Sequence, residues 1–104
     1  MKKIKTVEVN IVYESINVDF YTFIDVEECN NILRTNYLKA EGATAWYYNT
    51  ISVFFREDKV NNVGLITHEC LHATKRIMDY YGFNCEELEA TILEHLVNNI
   101  SENY

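Results

Sequence analysis

The sequence predicts an α+β domain: a small antiparallel or mixed sheet with helices packed against it. Three observations carry this. Residues 4 to 24 alternate apolar and polar side chains with a period of two. Residues 43 to 56 are rich in aromatic and β-branched side chains. Residues 64 to 99 change to a period near 3.6, interrupted at Gly82. The order reads β-β-α-β(β)-α-α: a helix after the first hairpin, then a central helix, then a C-terminal one. At 104 residues the chain is one domain spanning 1–104, and 48% apolar residues are enough to build a core at that length.

In the first segment, Ile4 to Tyr13, residues Val7, Val9, Ile11 and Tyr13 share one face. Thr6, Glu8 and Asn10 share the other, as in a half-buried strand. Glu14-Ser15 reads as the turn. Ile16, Val18 and Phe20 line one face of a second strand, completing a hairpin. Asp25 is a good N-cap with Glu28 three residues on, and Val26, Cys29, Leu33 and Tyr37 continue a helix to about Leu38, which Gly42 closes. Ala43 to Arg56 is one bent strand or two meeting at Asn49-Thr50. Asn61 or Asn62 caps the central helix. Its apolar stripe, Ile66, Cys70, Ala73 and Ile77, falls within about 60° of arc. Gly82 stands where a left-handed C-cap belongs. Asn84 then caps the last helix, Cys85 to about Asn99, with Glu87 in the capping-box position. Leu88, Ile92, Leu96 and Ile100 form its apolar face, widened by Leu93 and Val97.

The central helix carries His68-Glu69-Cys70-Leu71-His72, an HExxH motif. Helical geometry sets the two histidines about 40° apart on one face, one turn above the other. That spacing lets two imidazole nitrogens reach one Zn2+ ion at about 2.0–2.1 Å. Glu69 lies about 100° round from His68. It is placed to take a proton from an attacking water rather than to serve as an equal ligand. The bland reading is two surface histidines on an amphipathic helix; the strand-rich tract before the motif favours the metal. Cys70 belongs to the apolar stripe and reads as packing, not as a thiolate ligand. His95 reads as a partly exposed helix residue, and Tyr80 and Tyr81 as core or rim.

A net charge of −7 argues against nucleic acid or an anionic membrane as the main partner. Cys29, Cys70 and Cys85 lack the spacing of a disulfide framework, which predicts reduced thiols in the cytoplasm. The basic start MKKIKTVEVNIVYES contains no apolar signal-peptide core, and no window reaches the length of a membrane span.

Four stretches carry a family resemblance: VEVNIVYESINVDF, TAWYYNTISVFF, LITHECLHATKRIMDYYGF and EELEATILEHLV. Together they resemble the small zincin-like proteins of many bacteriophage genomes. More distantly the chain resembles ImmA/IrrE-type peptidases, whose E-x-E-A pattern is matched by Glu87-Leu88-Glu89-Ala90. The resemblance implies a gluzincin-like zinc metallopeptidase: His68 and His72 as ligands, Glu69 as general base, Glu87 as third ligand, and a peptide or protein as substrate. It also implies that the strand beside the active helix binds an extended peptide, a role open to Ile51 to Phe55. Helix geometry leaves the third ligand open. From His72 to Tyr81 the helix advances about 13 Å, so a plain antiparallel return brings Leu93 or Glu94 level with His72. Glu94 therefore stands beside Glu87, with Glu86 and Glu89 behind. Glu87 also has the plain reading of a capping glutamate, and Glu86 and Glu89 that of solvated acids near a helix N-terminus. The alternative function is a non-catalytic, phage-type binding or inhibitor protein with a structural or vestigial metal site.

Overall fold

The computed structural model describes residues 1–11, 14–25, 27 and 41–101. Strands β1 (Lys2–Ile11) and β2 (Glu14–Phe23) pair antiparallel, with Val7 opposite Val18 and Val9 opposite Ile16. Glu14 and Ser15 are paired with Ile11 and Asn10, so they are strand and not the turn expected of them. Their backbone groups find ladder partners once β1 lies alongside, which local sequence does not show. Strands β3 (Gly42–Tyr47) and β4 (Thr50–Arg56) form the second hairpin. Its two-residue loop is Tyr48-Asn49, one position earlier than the Asn49-Thr50 break expected. Tyr48 takes the left-handed region with φ 55°.

The four strands lie in the order β1-β2-β4-β3. β2 and β4 run parallel, from Asn17 opposite Thr50 to Phe23 opposite Arg56, so the sheet is mixed. Asp25 Oδ1 accepts from the Glu27 amide at 2.9 Å, the hydrogen bond a helix N-cap makes. The rest of the helix expected from Asp25 to Leu38 lies outside the described residues.

The described residues contain two α-helices, α1 (Val63–Tyr81) and α2 (Glu86–Ser101), so the domain is α+β as expected. Asn62 is the N-cap of α1, its Oδ1 accepting from the Leu65 amide at 3.0 Å. Gly82 ends the helix at φ 70°. Its amide donates to Asp79 O at 3.2 Å and the Phe83 amide to Met78 O at 2.9 Å, a Schellman pair. Helix α2 starts later than expected. Its first helical bond runs from the Glu89 amide to Cys85 O at 3.0 Å, so Cys85, not Asn84, is at the cap position. Glu87 is thereby one residue short of the capping-box position, which Leu88 takes.

Both helices cover the same face of the sheet. Val7, Val9, Ile16, Val18, Phe20, Ile51, Val53 and Phe55 of the strands meet the predicted stripe Ile66, Cys70, Ala73 and Ile77 of α1. Ile92, Leu96 and Ile100 of α2 join them, with Leu88, Leu93 and Val97 partly buried at the margin. The opposite face carries a smaller cluster of Phe23, Ala43 and Phe54, with Tyr21 stacked on Phe54 at 5.2 Å. Helix α1 lies against β3 and β4, and α2 against α1 and β1. The polar side of α1 is therefore brought beside edge strand β3. No helix among the described residues is long and apolar enough to cross a membrane.

Candidate functional site

Burying Ile66, Cys70, Ala73 and Ile77 fixes the rotation of α1, and with it the direction of everything else on the helix. His68 and His72 emerge on the accessible side, with 63% of the His68 side chain exposed. Their Nε2 atoms stand 3.2 Å apart and the rings meet edge to face. Two nitrogens each about 2.0–2.1 Å from one zinc ion at a near-tetrahedral angle stand roughly 3.3 Å apart. The separation therefore suits two ligands of one ion, and is equally that of an N–H···N hydrogen bond between the two rings.

Glu69 turns the other way, into the crevice between α1 and β3, and is only 5% exposed. The Thr44 hydroxyl on β3 donates to its Oε1 at 2.9 Å and lies 3.2 Å from its main-chain carbonyl. Its second oxygen, Oε2, is 3.9 Å from His68 Nε2. One carboxylate oxygen is thus anchored to the sheet while the other faces the histidine pair. Gly42 makes this packing possible. A Cβ there would sit 3.1 Å from Glu69 Cγ, 3.2 Å from Leu65 Cδ1 and 3.0 Å from the Phe54 carbonyl. The lack of a side chain leaves room for the glutamate.

Gly42, Thr44 and Trp46 alternate with Ala43, Ala45 and Tyr47, so they share the face of β3 turned towards α1. Gly42 and Thr44 meet Glu69, and Trp46 meets Arg76, whose guanidinium carbon lies 4.6 Å from the ring centroid. Strand and helix therefore run side by side in the same direction. Between them is an open cleft of about 500 Å3, walled by Thr44 and Trp46 on one side and by His68, His72 and Arg76 on the other. Lys75 and Asp79 also line it.

None of Glu86, Glu87, Glu89 and Glu94 lines this cleft. Glu86, Glu87 and Glu94 are exposed on α2, where the Glu87 carbonyl accepts from the Thr91 hydroxyl at 2.9 Å. Glu89 is paired with Lys75 at 2.8 Å. Among the described residues no group of three or more His, Cys, Asp or Glu side chains is gathered as a metal site. Among the described residues, the histidine pair and Glu69 are thus brought together by α1 and β3. Cys70 is buried beneath them, and burial, with the neighbouring Glu69 charge adding, pushes its thiol up to about 12. It packs as a neutral thiol. His95 is on the far side of α2, with Nε2 3.0 Å from the Glu8 carbonyl.

The peptide-binding role expected of Ile51 to Phe55 is corrected. β4 is bonded on both sides, to β2 and to β3, so its backbone offers nothing to a further strand. Among the described residues, the sheet edge beside the histidines belongs to β3. The motif identified the histidines and Glu69 but missed Thr44, Trp46, Arg76 and Asp79. Arg76 had a signal: it is four residues beyond His72 and eight beyond His68, on the same stripe of the helix. Thr44 and Trp46 had none, because their nearness to the motif depends on the strand order.

Comparison with protein-family models, with curated proteins and with solved structures finds no match.

Proposed function

We propose that the chain is a zinc-dependent metallopeptidase of the zincin type, hydrolysing a peptide bond with Glu69 as general base. The observation that carries this reading is the 3.2 Å separation of the two Nε2 atoms, which matches two ligands of one zinc ion. Zinc held by His68 and His72 would polarise a substrate carbonyl and lower the pKa of water at the site. Glu69 takes the proton from the attacking water and delivers it to the leaving amine as the C–N bond breaks. The Thr44 hydrogen bond, which fixes one carboxylate oxygen and leaves Oε2 on the histidine side, supports this reading. Cys70 and Cys85 are both unpaired thiols, in keeping with a cytoplasmic setting.

The test is metal content by mass spectrometry on protein purified without chelator or histidine tag, followed by peptide hydrolysis. About one zinc per chain, lost in His72→Ala, supports the site. Glu69→Gln should keep the zinc and lose hydrolysis. Zinc-free protein whose melting point does not move on adding zinc would remove the enzyme reading.

A second reading, a non-catalytic binding or inhibitor protein on the same frame, is favoured by the aromatic tip of the β3–β4 hairpin. Trp46, Tyr47 and Tyr48 are 52%, 75% and 72% exposed there. In that case Glu69→Gln leaves the biological effect intact, while Tyr47→Ala or Tyr48→Ala weakens it.

A further inference from the structure

The cleft contains a cation with no counter-ion among the described residues. Lys75 is neutralised by Glu89 at 2.8 Å. Arg76 has no ion pair or hydrogen bond among the described residues, and its Nε is shielded from solvent without an acceptor. What holds the guanidinium is the Trp46 ring, 4.6 Å from centroid to guanidinium carbon. Stacking uses the flat face of a guanidinium and hydrogen bonding uses its edge. An arginine held over a ring by its face keeps its N–H edge available to an acceptor, and Arg76 is among the residues that line the cleft. The fixed planar fork suits a carboxylate, which it can grip with two parallel bonds.

Position strengthens the case. Arg76 lies one turn beyond His72, about 6 Å along the helix axis. An extended peptide advances about 3.3 Å per residue. A carboxylate on Arg76 would thus belong to a residue within about two positions of the bond held at the histidines. Two acids line the same cleft: Glu69 is bonded to Thr44, and Asp79 forms no ion pair with Arg76 among the described residues.

We propose that Arg76, clamped by Trp46, is a specificity-determining residue that selects substrates with a carboxylate within two residues of the cleaved bond. The carboxylate is either the chain's C-terminus or an Asp or Glu side chain. The inference builds on the metallopeptidase reading for what happens at the histidines, but its test does not need turnover.

Trp46 is the only tryptophan in the chain and touches Arg76, so its fluorescence reports binding directly. Four probes separate the sources: acetyl-Gly-Ala-Ala with a free C-terminus, the same peptide amidated, acetyl-Gly-Glu-Ala-amide, and acetyl-Gly-Gln-Ala-amide. Each is titrated into the full chain, with and without EDTA. At least one carboxylate probe should bind tenfold or more tighter than its neutral counterpart, and the pair that shows it names the source. The preference should vanish in Arg76→Gln, be reduced in Arg76→Lys, and persist in EDTA. Equal binding of charged and neutral probes, no binding by any, or a preference that survives Arg76→Gln overturns the proposal. Zinc content and the Glu69→Gln assay judge the metallopeptidase reading separately, so either can fail alone.

Discussion

The bond between Thr44 and Glu69 joins the sheet to the motif, and its strength can be worked out. Thr44→Val removes the hydroxyl at nearly constant shape. It deprives a carboxylate that is 5% exposed of its 2.9 Å donor. A hydrogen bond to a charged group contributes about 1.5–3 kcal/mol, and a buried acceptor left unmet costs a similar amount. Thr44→Val should therefore destabilise the domain by about 2 kcal/mol, roughly 8–16 °C in melting temperature for a domain of this size. The deciding experiment is a double-mutant cycle with Glu69→Ala, followed by urea unfolding in EDTA at neutral pH. Once the carboxylate is gone, Thr44→Val breaks only the 3.2 Å contact with the Glu69 main-chain carbonyl and should cost much less. The coupling should thus be about 1.5–3 kcal/mol, seen as a shifted midpoint at constant slope. A coupling below about 0.5 kcal/mol would refute the anchoring of Glu69 by β3 and remove the structural support for its orientation.

Other consequences follow from the same geometry. Gly42→Ala sets a Cβ 3.0 Å from the Phe54 carbonyl, which cannot move without its strand, so thermal melts should show a loss of about 1–3 kcal/mol. Gly82→Ala forces a side chain into φ 70° and should lower stability by about 1 kcal/mol, with no clash to add because the surroundings are open. Glu87→Ala and Glu94→Ala should keep zinc content unchanged by mass spectrometry, since neither residue lines the cleft; loss of zinc in either would place that side chain at the metal. Cys70 is held protonated in the fold up to about pH 12, whereas an unfolded thiol ionises near pH 9. Its contribution is complete below pH 9 and is lost as pH rises towards 12, so the alkaline fall in melting temperature should be shallower in Cys70→Ala.

Much of the architecture was legible locally. The residues that periodicity marked in β1, β2, α1 and α2 and that are described are buried or partly buried, though Phe23, Thr74 and Met78 are buried without having been marked, and Asn62 and Gly82 bound α1 through cap chemistry that spans only a few residues. The boundaries that shifted did so for tertiary reasons. Glu14 and Ser15 became strand because β1 supplies their ladder partners.

For the site, the sequence alone determined the spacing of His68 and His72 and their separation from the apolar stripe, since both follow from 3.6 residues per turn. Only the tertiary structure decided what faces them. That choice rests on the strand order β1-β2-β4-β3, which puts β4 inside the sheet and leaves β3 as the edge. It brings Thr44 to Glu69 across 25 positions of sequence and Trp46 to Arg76 across a comparable stretch. No local pattern encodes such pairings, because they arise from packing the helix against one particular edge of a mixed sheet.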